Sequence, residues 1–257
     1  MISIDLNCDL GERDDLAPEV QEQLMACVTS ANIACGAHAG SPELMGLTVR
    51  QALRRGVAIG AHPGYPDRQN FGRLEMAMRL EQLESSVEQQ ILTLLRIATN
   101  EGAQVRYVKP HGALYNQAAR NERLAAAVAR AVARVRPDLW LVGLAGSQML
   151  TVWKDAGFHV AAEAFADRQY EPDGTLRARG HADALLQEPT AAAAQALRIA
   201  LQGEVVAWNG SIVPIQAQTL CIHGDNPNAV AIARAVRRRL KQSAVQVCPW
   251  HSGAGLG

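Results

Sequence analysis

The sequence predicts an α/β protein, a (β/α) barrel with seven to eight strands and some irregularity in their spacing. Short apolar runs alternate with segments of helical periodicity along most of the chain, a pattern typical of parallel strands joined by right-handed crossovers. With 257 residues, the chain has the length of one such barrel. Polar clusters follow the apolar runs, which indicates a pocket where the carboxyl ends of the strands converge.

The predicted strands are apolar runs bounded by turn-forming residues. Their number and the length of the chain favour a closed barrel over an open, doubly wound sheet. In chain order they are 2–7, 30–34, 57–61, 105–109, 140–144, 159–164, 219–222 and, as a last candidate, 244–247.

Helical patterns fill the intervals between the strands. The clearest spans 80–100, where apolar residues recur in steps of three and four and Gly102 follows the last turn. Ser41-Pro42 predicts an N-cap and a first-turn proline, and Asn226-Pro227 repeats that signal. We expect both of these helices to begin directly after a polar cluster.

Two segments depart from this alternation. Residues 165–216 contain a turn signal at Asp173-Gly174, a helix opened by Pro189 and a hairpin signal at Asn209-Gly210. We expect this insertion to cover the pocket. A glycine-rich tail over 249–257 is expected to be flexible, so a single barrel domain is predicted for 1–248.

Composition narrows the classes of function. Lys and Arg total 25, as do Asp and Glu, so no net charge favours nucleic acid or an anionic membrane as a partner. No apolar run reaches the roughly 18 residues of a membrane helix, and the chain shows no signal-peptide pattern. We expect a cytoplasmic protein that acts on a small molecule. Its five cysteines form no CxxC pair and are expected to be reduced.

The polar clusters supply acids, bases and candidate ligands. Asp9 and Glu12 follow the first strand, where a carboxylate can bind a cation, accept a proton or orient a histidine. A lone histidine is usually structural. Four of the seven histidines, however, follow different strands and lie within two residues of a glycine or proline: His38, His62, His111 and His223. At least two of these four are predicted to be functional.

Two basic residues need partners. Lys109 lies within a strand-like run, so its ammonium requires a carboxylate, a phosphate or a polarised carbonyl. The alternative is an internal ion pair, for which the candidates are Asp9, Glu163 and Asp225. Arg168 stands next to Asp167 and is either a phosphate clamp or half of a structural pair.

Several catalytic motifs are absent. The chain has no GxxxxGK[ST] loop, no GxGxxG after the first strand, no HExxH and no GxSxG, which disfavours P-loop, dinucleotide-binding, zincin and hydrolase-elbow chemistry. A bound metal stays open, because an aspartate with histidines from separate strands suits Zn²⁺ or Mn²⁺. The candidate ligands are Asp9, His38, His62 and His111.

Seven words of this sequence resemble the signatures of the LamB/YcsF family. In order across residues 2–240 they are DLNCDLGE from Asp5, SANIACG from Ser30, GAHPGYPD from Gly60, FGR from Phe71, VKPHGALYN from Val108, EAFADR from Glu163 and CIHGDNP from Cys221. Long words in a fixed order make the resemblance specific. The chain departs from the family pattern at Arg13-Asp14-Asp15, Ala37 and Ser41.

The resemblance implies a barrel of the glycoside hydrolase/deacetylase-like type. It also implies ATP-dependent opening of 5-oxo-L-proline to L-glutamate, with Mg²⁺ accompanying the nucleotide and with subunits B and C of a 5-oxoprolinase as partners. A five-membered lactam is an unreactive amide, and phosphorylating its carbonyl oxygen would create a good leaving group.

The roles within that reaction are hypotheses. Lys109 and Arg168 would stabilise phosphate charge, and Asp9 or Asp225 would be the general base, oriented by His62, His111 or His223. The predicted catalytic residues are Asp9, His62, Lys109, His111 and Asp225. The residues predicted to bind substrate or ATP are Asn7, Asn32, His38, Glu163, Arg168 and His223.

Two alternatives remain open. A metal-dependent hydrolase of amides or N-acetyl sugars could use the same fold and the same histidines without ATP. The chain could also be a non-catalytic subunit that presents substrate to a partner.

Overall fold

The computed structural model describes residues 2–13 and 18–250. Its strands, in chain order, are β1 (Ser3–Leu10), β2 (Ser30–Ala34), β3 (Ala58–His62), β4 (Val105–Val108), β5 (Trp140–Leu144), β6 (Val160–Phe165), β7 (Glu204–Val206), β8 (Ile212–Pro214), β9 (Thr219–His223) and β10 (Gln246–Val247). The strands from β1 to β6 pair in order, and β9 closes the ring between β6 and β1. Every pairing in this ring is parallel.

The predicted barrel is confirmed, with seven strands closing the ring within the described ranges. The eighth predicted strand exists as β10, which pairs only with Ser3 and Ile4 at the start of β1. The rest of β1 pairs with β9 from Asp5 onward. β9 therefore does not reach the first residues of β1, and β10 lies beside those residues instead.

Helices surround this barrel. They are α1 (Pro18–Met25), α2 (Pro42–Arg55), α3 (Leu80–Asn100), α4 (Gly112–Arg120), α5 (Glu122–Val135), α6 (Gln148–Asp155), α7 (Pro189–Gln202) and α8 (Ala229–Gln242). The helix predicted over 80–100 is confirmed as α3. Its apolar stripe is buried, as the helical period requires: Leu83, Val87, Ile91 and Leu94.

One of the two predicted helix starts is confirmed and the other is wrong. The Ser41 hydroxyl accepts from the backbone N–H of Leu44 at 3.2 Å, so serine caps α2 at a position where it departs from the family pattern. At the other site α8 begins only at Ala229. Asn226 instead accepts from the backbone N–H of Asn228 at 2.8 Å, because its short side chain stabilises a local turn ahead of the helix.

The segment 165–216 links β6 to β9 across the carboxyl end of the barrel. The predicted hairpin forms between β7 and β8, and Gly210 has a positive φ of 85° that the turn requires. Arg168 donates to the carbonyl oxygens of Arg177 (2.7 Å) and Ala184 (3.4 Å), which ties this loop together. Six of its residues line a cavity at this end of the barrel: Phe165, Arg168, Leu176, Ala178, Arg179 and Gly180.

The amino-terminal end of the barrel is filled by polar and aromatic side chains. Asp5 accepts hydrogen bonds from the hydroxyls of Thr29, Ser30 and Thr219 at 2.5–2.7 Å, which joins three strands. Trp250 packs against the Tyr107 ring, with centroids 5.0 Å apart. The rest of the predicted flexible tail, from residue 251, lies outside the described residues.

The five cysteines form no disulfide, and four of them are buried.

Within the described residues, no helix has the length and hydropathy needed to span a membrane.

Candidate functional site

A cavity of about 400 Å³ lies at the carboxyl end of the barrel. Its floor is built where β1, β3, β4 and β9 end, as expected for a parallel barrel. The floor residues are Asp9, His62, Lys109, His111 and His223, and the mouth carries Arg73, Arg168 and Arg179. Residues predicted from five separate polar clusters therefore meet at one cavity.

Lys109 forms buried ion pairs with two carboxylates. Its Nζ lies 2.8 Å from Asp9 Oδ1 and 2.9 Å from Glu163 Oε1. Because both carboxylates reach the same ammonium, Lys109 forms the internal pair that the sequence left as an alternative, with Asp9 and Glu163 but without Asp225. The hypothesis that Lys109 stabilises phosphate charge is not favoured by this geometry.

The charges in this pair shift both pKa values. Burial alone would lower the pKa of Lys109, but Asp9, Cys221 and Glu163 hold it well above its usual value. Burial would raise the pKa of Asp9, but His62 and Lys109 hold it well below its usual value. Asp9 is therefore an ionised carboxylate and a weak base.

Asn7, Asn32 and Glu163, predicted to bind substrate or ATP, lie beneath the floor. Asn32 Nδ2 donates to Asp9 Oδ1 and to Asn7 Oδ1, both at 2.7 Å, and Asn7 Nδ2 donates to Glu163 Oε1 at 2.9 Å. These side chains bond to one another and do not line the cavity, and Glu163 Oε2 has no hydrogen-bond partner among the described residues. They support the floor, because inward-facing strand residues below it meet other strands, and a direct role in binding substrate or ATP stays a prediction.

Three histidines pack together beside Asp9. His62 Nδ1 donates to the carbonyl oxygen of Lys109 at 2.7 Å, and His111 Nε2 donates to that of Phe71 at 2.9 Å. The inner nitrogens, His62 Nε2 and His111 Nδ1, face each other at 3.0 Å. His38 stacks on His111 with ring centroids 3.8 Å apart.

Glycines make room for these rings. A Cβ on Gly64 would lie 2.8 Å from His38 Nδ1, and a Cβ on Gly72 would lie 2.8 Å from His38 Cβ. Both distances are shorter than a van der Waals contact. Because Gly64 and Gly72 have no Cβ, their backbone can approach the His38 side chain closely.

Four groups around the inner nitrogens could hold a metal ion. One donor atom each from Asp9, Glu12, His62 and His111 lies within 4.8 Å of the others. His38, a predicted ligand, is not in this set, because its ring stacks on His111 and Glu12 occupies the inner position. Burial and the charge of Asp9 raise the pKa of Glu12 well above its usual value.

His223 is oriented by the carboxylate of Asp167. Asp167 accepts from the backbone N–H of His223 at 2.9 Å and from His223 Nδ1 at 3.0 Å. A structural pair of Asp167 with Arg168 was one of two alternatives, but the Arg168 guanidinium donates to backbone carbonyls instead. Within the described chain no hydrogen bond engages His223 Nε2, and the ring lines the cavity.

The mouth of the cavity is basic. Arg73 pairs with Asp225, and Arg179 Nη1 lies 3.9 Å from the same carboxylate. Although burial would raise it, the pKa of Asp225 is lowered by His223, Arg73 and Arg179. Asp225 therefore anchors arginines. This geometry does not favour its predicted role as general base, since a carboxylate held ionised by cations is a poor base.

Sequence reasoning missed Arg73, Arg179 and Asp167 as site residues. Arg73 belongs to the FGR word and Arg179 to the polar run of the insertion, so both were visible but had no assigned role. Of the departures from the family pattern, Asp14 and Asp15 lie outside the described residues.

Comparison with known proteins decides the family. The model of the LamB/YcsF family matches residues 4–254. The chain belongs to the LamB/YcsF family. A curated relative, the 5-oxoprolinase A subunit of Methylococcus capsulatus, is 49% identical, and the match covers 98% of each chain.

Solved structures support the same relationship. The lactam utilization protein of Thermus thermophilus is similar to this LamB/YcsF chain with a TM-score of 0.89 and 42% identity, over 96% of this chain and 99% of that one. A T48 deacetylase has a TM-score of 0.50 and 14% identity, over 98% and 92% of the two chains. The latter likeness shows the fold alone, which is deacetylase-like as expected.

Proposed function

We propose that this chain is the component of a 5-oxoprolinase that binds 5-oxo-L-proline and opens its lactam ring to L-glutamate. It would act in a complex with subunits B and C, with consumption of ATP and Mg²⁺. The observation that carries the proposal is the similarity, over nearly the full length of both chains, to a relative named as the A subunit of 5-oxoprolinase. The chemistry of the cavity supports it.

The cavity suits a small anionic lactam. Its volume of about 400 Å³ is near the lower end of the range for small-molecule sites, about 300–1,000 Å³. 5-Oxoproline carries a carboxylate beside a polar amide. Arg73 and Arg179 at the mouth offer charged donors for the carboxylate, which directs the amide toward Asp9, His62 and His111.

A neighbouring cavity leaves room for a nucleotide. It measures about 610 Å³ and shares Asn116, Leu176 and Ala178 with the first cavity. A nucleotide there would direct its terminal phosphate toward the shared wall. The positive charge of Arg73 and Arg179 would then stabilise the transferred phosphoryl group as well.

The proposed reaction uses one ATP and two waters. The lactam oxygen attacks the γ-phosphorus of ATP and displaces ADP. One water adds to the activated carbon, and cleavage of the C–N bond leaves an acyl phosphate of glutamate. The second water hydrolyses this acyl phosphate, which releases phosphate and completes the carboxylate. Protons move from water to the departing nitrogen. His223, held by Asp167 at its Nδ1, is the best-placed proton carrier, because its ring lines the cavity.

Reconstitution tests the proposal. The chain is mixed with subunits B and C, 5-oxoproline, Mg²⁺ and ATP, and glutamate and ADP are both measured. Equal amounts that depend on all three chains are expected. Glutamate formed without ADP would replace the proposal with a nucleotide-independent amide hydrolase. If activity survives replacement of the floor residues, His223 included, the chain would have a binding role only.

The mouth is tested by substrate selectivity. Arg73→Gln and Arg179→Gln should raise KM for 5-oxoproline about 10- to 100-fold, since a hydrogen bond to a charged group contributes about 1.5–3 kcal/mol. Any turnover of 2-pyrrolidone, the same lactam without a carboxylate, should fall less than that of 5-oxoproline, which separates the carboxylate contact from an effect on phosphoryl transfer. Arg238→Gln, at an exposed position on α8, is the matched control. An unchanged KM in both variants would place the carboxylate elsewhere.

A further inference from the structure

We propose that Asp9, Glu12, His62 and His111 bind one divalent transition-metal ion, Zn²⁺ or Mn²⁺, at the floor of the cavity. The site is separate from the Mg²⁺ that accompanies ATP, because imidazole nitrogens suit Zn²⁺ and Mn²⁺ better than Mg²⁺. The proposal rests on the geometry of these four side chains and holds whether or not the reaction uses a nucleotide.

Hydrogen bonds fix the tautomers of both histidines. A carbonyl oxygen can only accept, so His62 carries its proton on Nδ1, toward Lys109, and His111 carries its proton on Nε2, toward Phe71. With no second proton on either ring, the lone pairs of His62 Nε2 and His111 Nδ1 would face each other only 3.0 Å apart. Two acceptors at this distance repel unless a cation or an extra proton lies between them.

The carboxylates add two further acceptors to the same point. Asp9 Oδ2 lies 3.4 Å from His62 Nε2, and Glu12 Oε1 lies 3.4 Å from His111 Nδ1 and 4.0 Å from His62 Nε2. A tetrahedral ion with ligands at about 2.05 Å has edges of about 3.3 Å between them. The observed separations are close to those edges, so small side-chain movements complete the coordination.

The surroundings hold the ligands in place. The carbonyl oxygens of Lys109 and Phe71 orient the two rings from behind, which is the usual support of metal-binding histidines. Asp9 Oδ1 is occupied by Lys109 and Asn32, which leaves Oδ2 for the ion.

Metal binding is measured on the full chain without any turnover. The chain is treated with a chelator, dialysed and titrated with ZnCl₂ or MnCl₂ by calorimetry, and the bound metal is counted by elemental analysis. One ion per chain is expected. Glu12→Gln and His111→Ala should weaken binding at least about 100-fold, the upper end of what even an outer-shell change costs. His181→Ala, at an exposed histidine, is the matched control and should bind normally.

Thermal unfolding keeps the test valid if a variant folds poorly. The ion should raise Tm of the wild-type chain, because it binds only the folded state, and should leave Tm of folded Glu12→Gln unchanged. A natively folded wild-type chain that takes up no ion would overturn the proposal, and a proton shared by His62 and His111 would then be the explanation. Lactam opening is measured separately, so its failure would be distinguishable from a failure to bind metal.

Discussion

Replacing Lys109 by methionine removes one ammonium from the floor and keeps most of the side-chain volume. Asp9 and Glu163 then lose the partner that lies 2.8 and 2.9 Å from their oxygens. Both carboxylates are buried, with 5% and 0% of their side-chain surfaces exposed. Breaking a buried pair on one side costs about 3–5 kcal/mol, because the remaining charge has no compensation. We therefore expect the free energy of unfolding to fall by this amount at pH 7.

Urea unfolding followed by circular dichroism measures the loss, and a Tm decrease of roughly 6–20 °C should accompany it at about 2–4 °C per kcal/mol. Lys154→Met, at an exposed lysine on α6, is the control and should change stability by at most about 0.5 kcal/mol.

The stability lost in Lys109→Met should become smaller as the pH falls. The pKa of Asp9 lies below its usual 3.8 in the folded chain, so its pairing stabilises the fold above that pH and is lost as pH falls through the lowered value. In the variant the unpaired carboxylates can instead take up protons. The difference between the two proteins should therefore narrow on acidification. A loss under about 1 kcal/mol at pH 7, the level of a surface pair, would refute the reasoning.

Three other perturbations test separate parts of the structure. Asp167→Asn should lower turnover of the reconstituted complex about 100-fold, and adding His223→Gln should cost nothing further, because the two residues act as one unit; additive losses would contradict this. Gly60→Ala should lower the free energy of unfolding by about 3 kcal/mol, because the new Cβ would lie 2.0 Å from Tyr107 Cε2. The control is Gly180→Ala, whose Cβ would meet no atom within 4 Å. This control should leave the stability measured by urea unfolding unchanged. Burial raises the pKa of Asp5 from 3.8 to about 6. The stability that Asp5 contributes is therefore complete below pH 3.8 and declines, by about 3 kcal/mol, as pH rises through 6. Asp5→Asn should remove this decline from the pH profile of urea unfolding, and an unchanged profile would show that another group titrates.

The sequence by itself determined the elements of this barrel. The periodicity of α3 and the cap at Ser41 are local properties, expressed within a few residues of the chain, so they are readable before any tertiary contact is known. The convergence of His62, Lys109, His111 and His223 also followed from sequence, because parallel strands place their carboxyl ends on one face.

Only the tertiary structure decided which of these side chains touch. Lys109 meets Asp9 across 100 residues of chain, and His223 meets Asp167 across 56. Such partnerships depend on which strands are neighbours and on their register, and one residue of register reverses the face on which a side chain lies. For the same reason Asn7, Asn32 and Glu163 lie under the floor. Arg73 and Arg179 lie at the mouth because the segments that follow β3 and β6 carry them there.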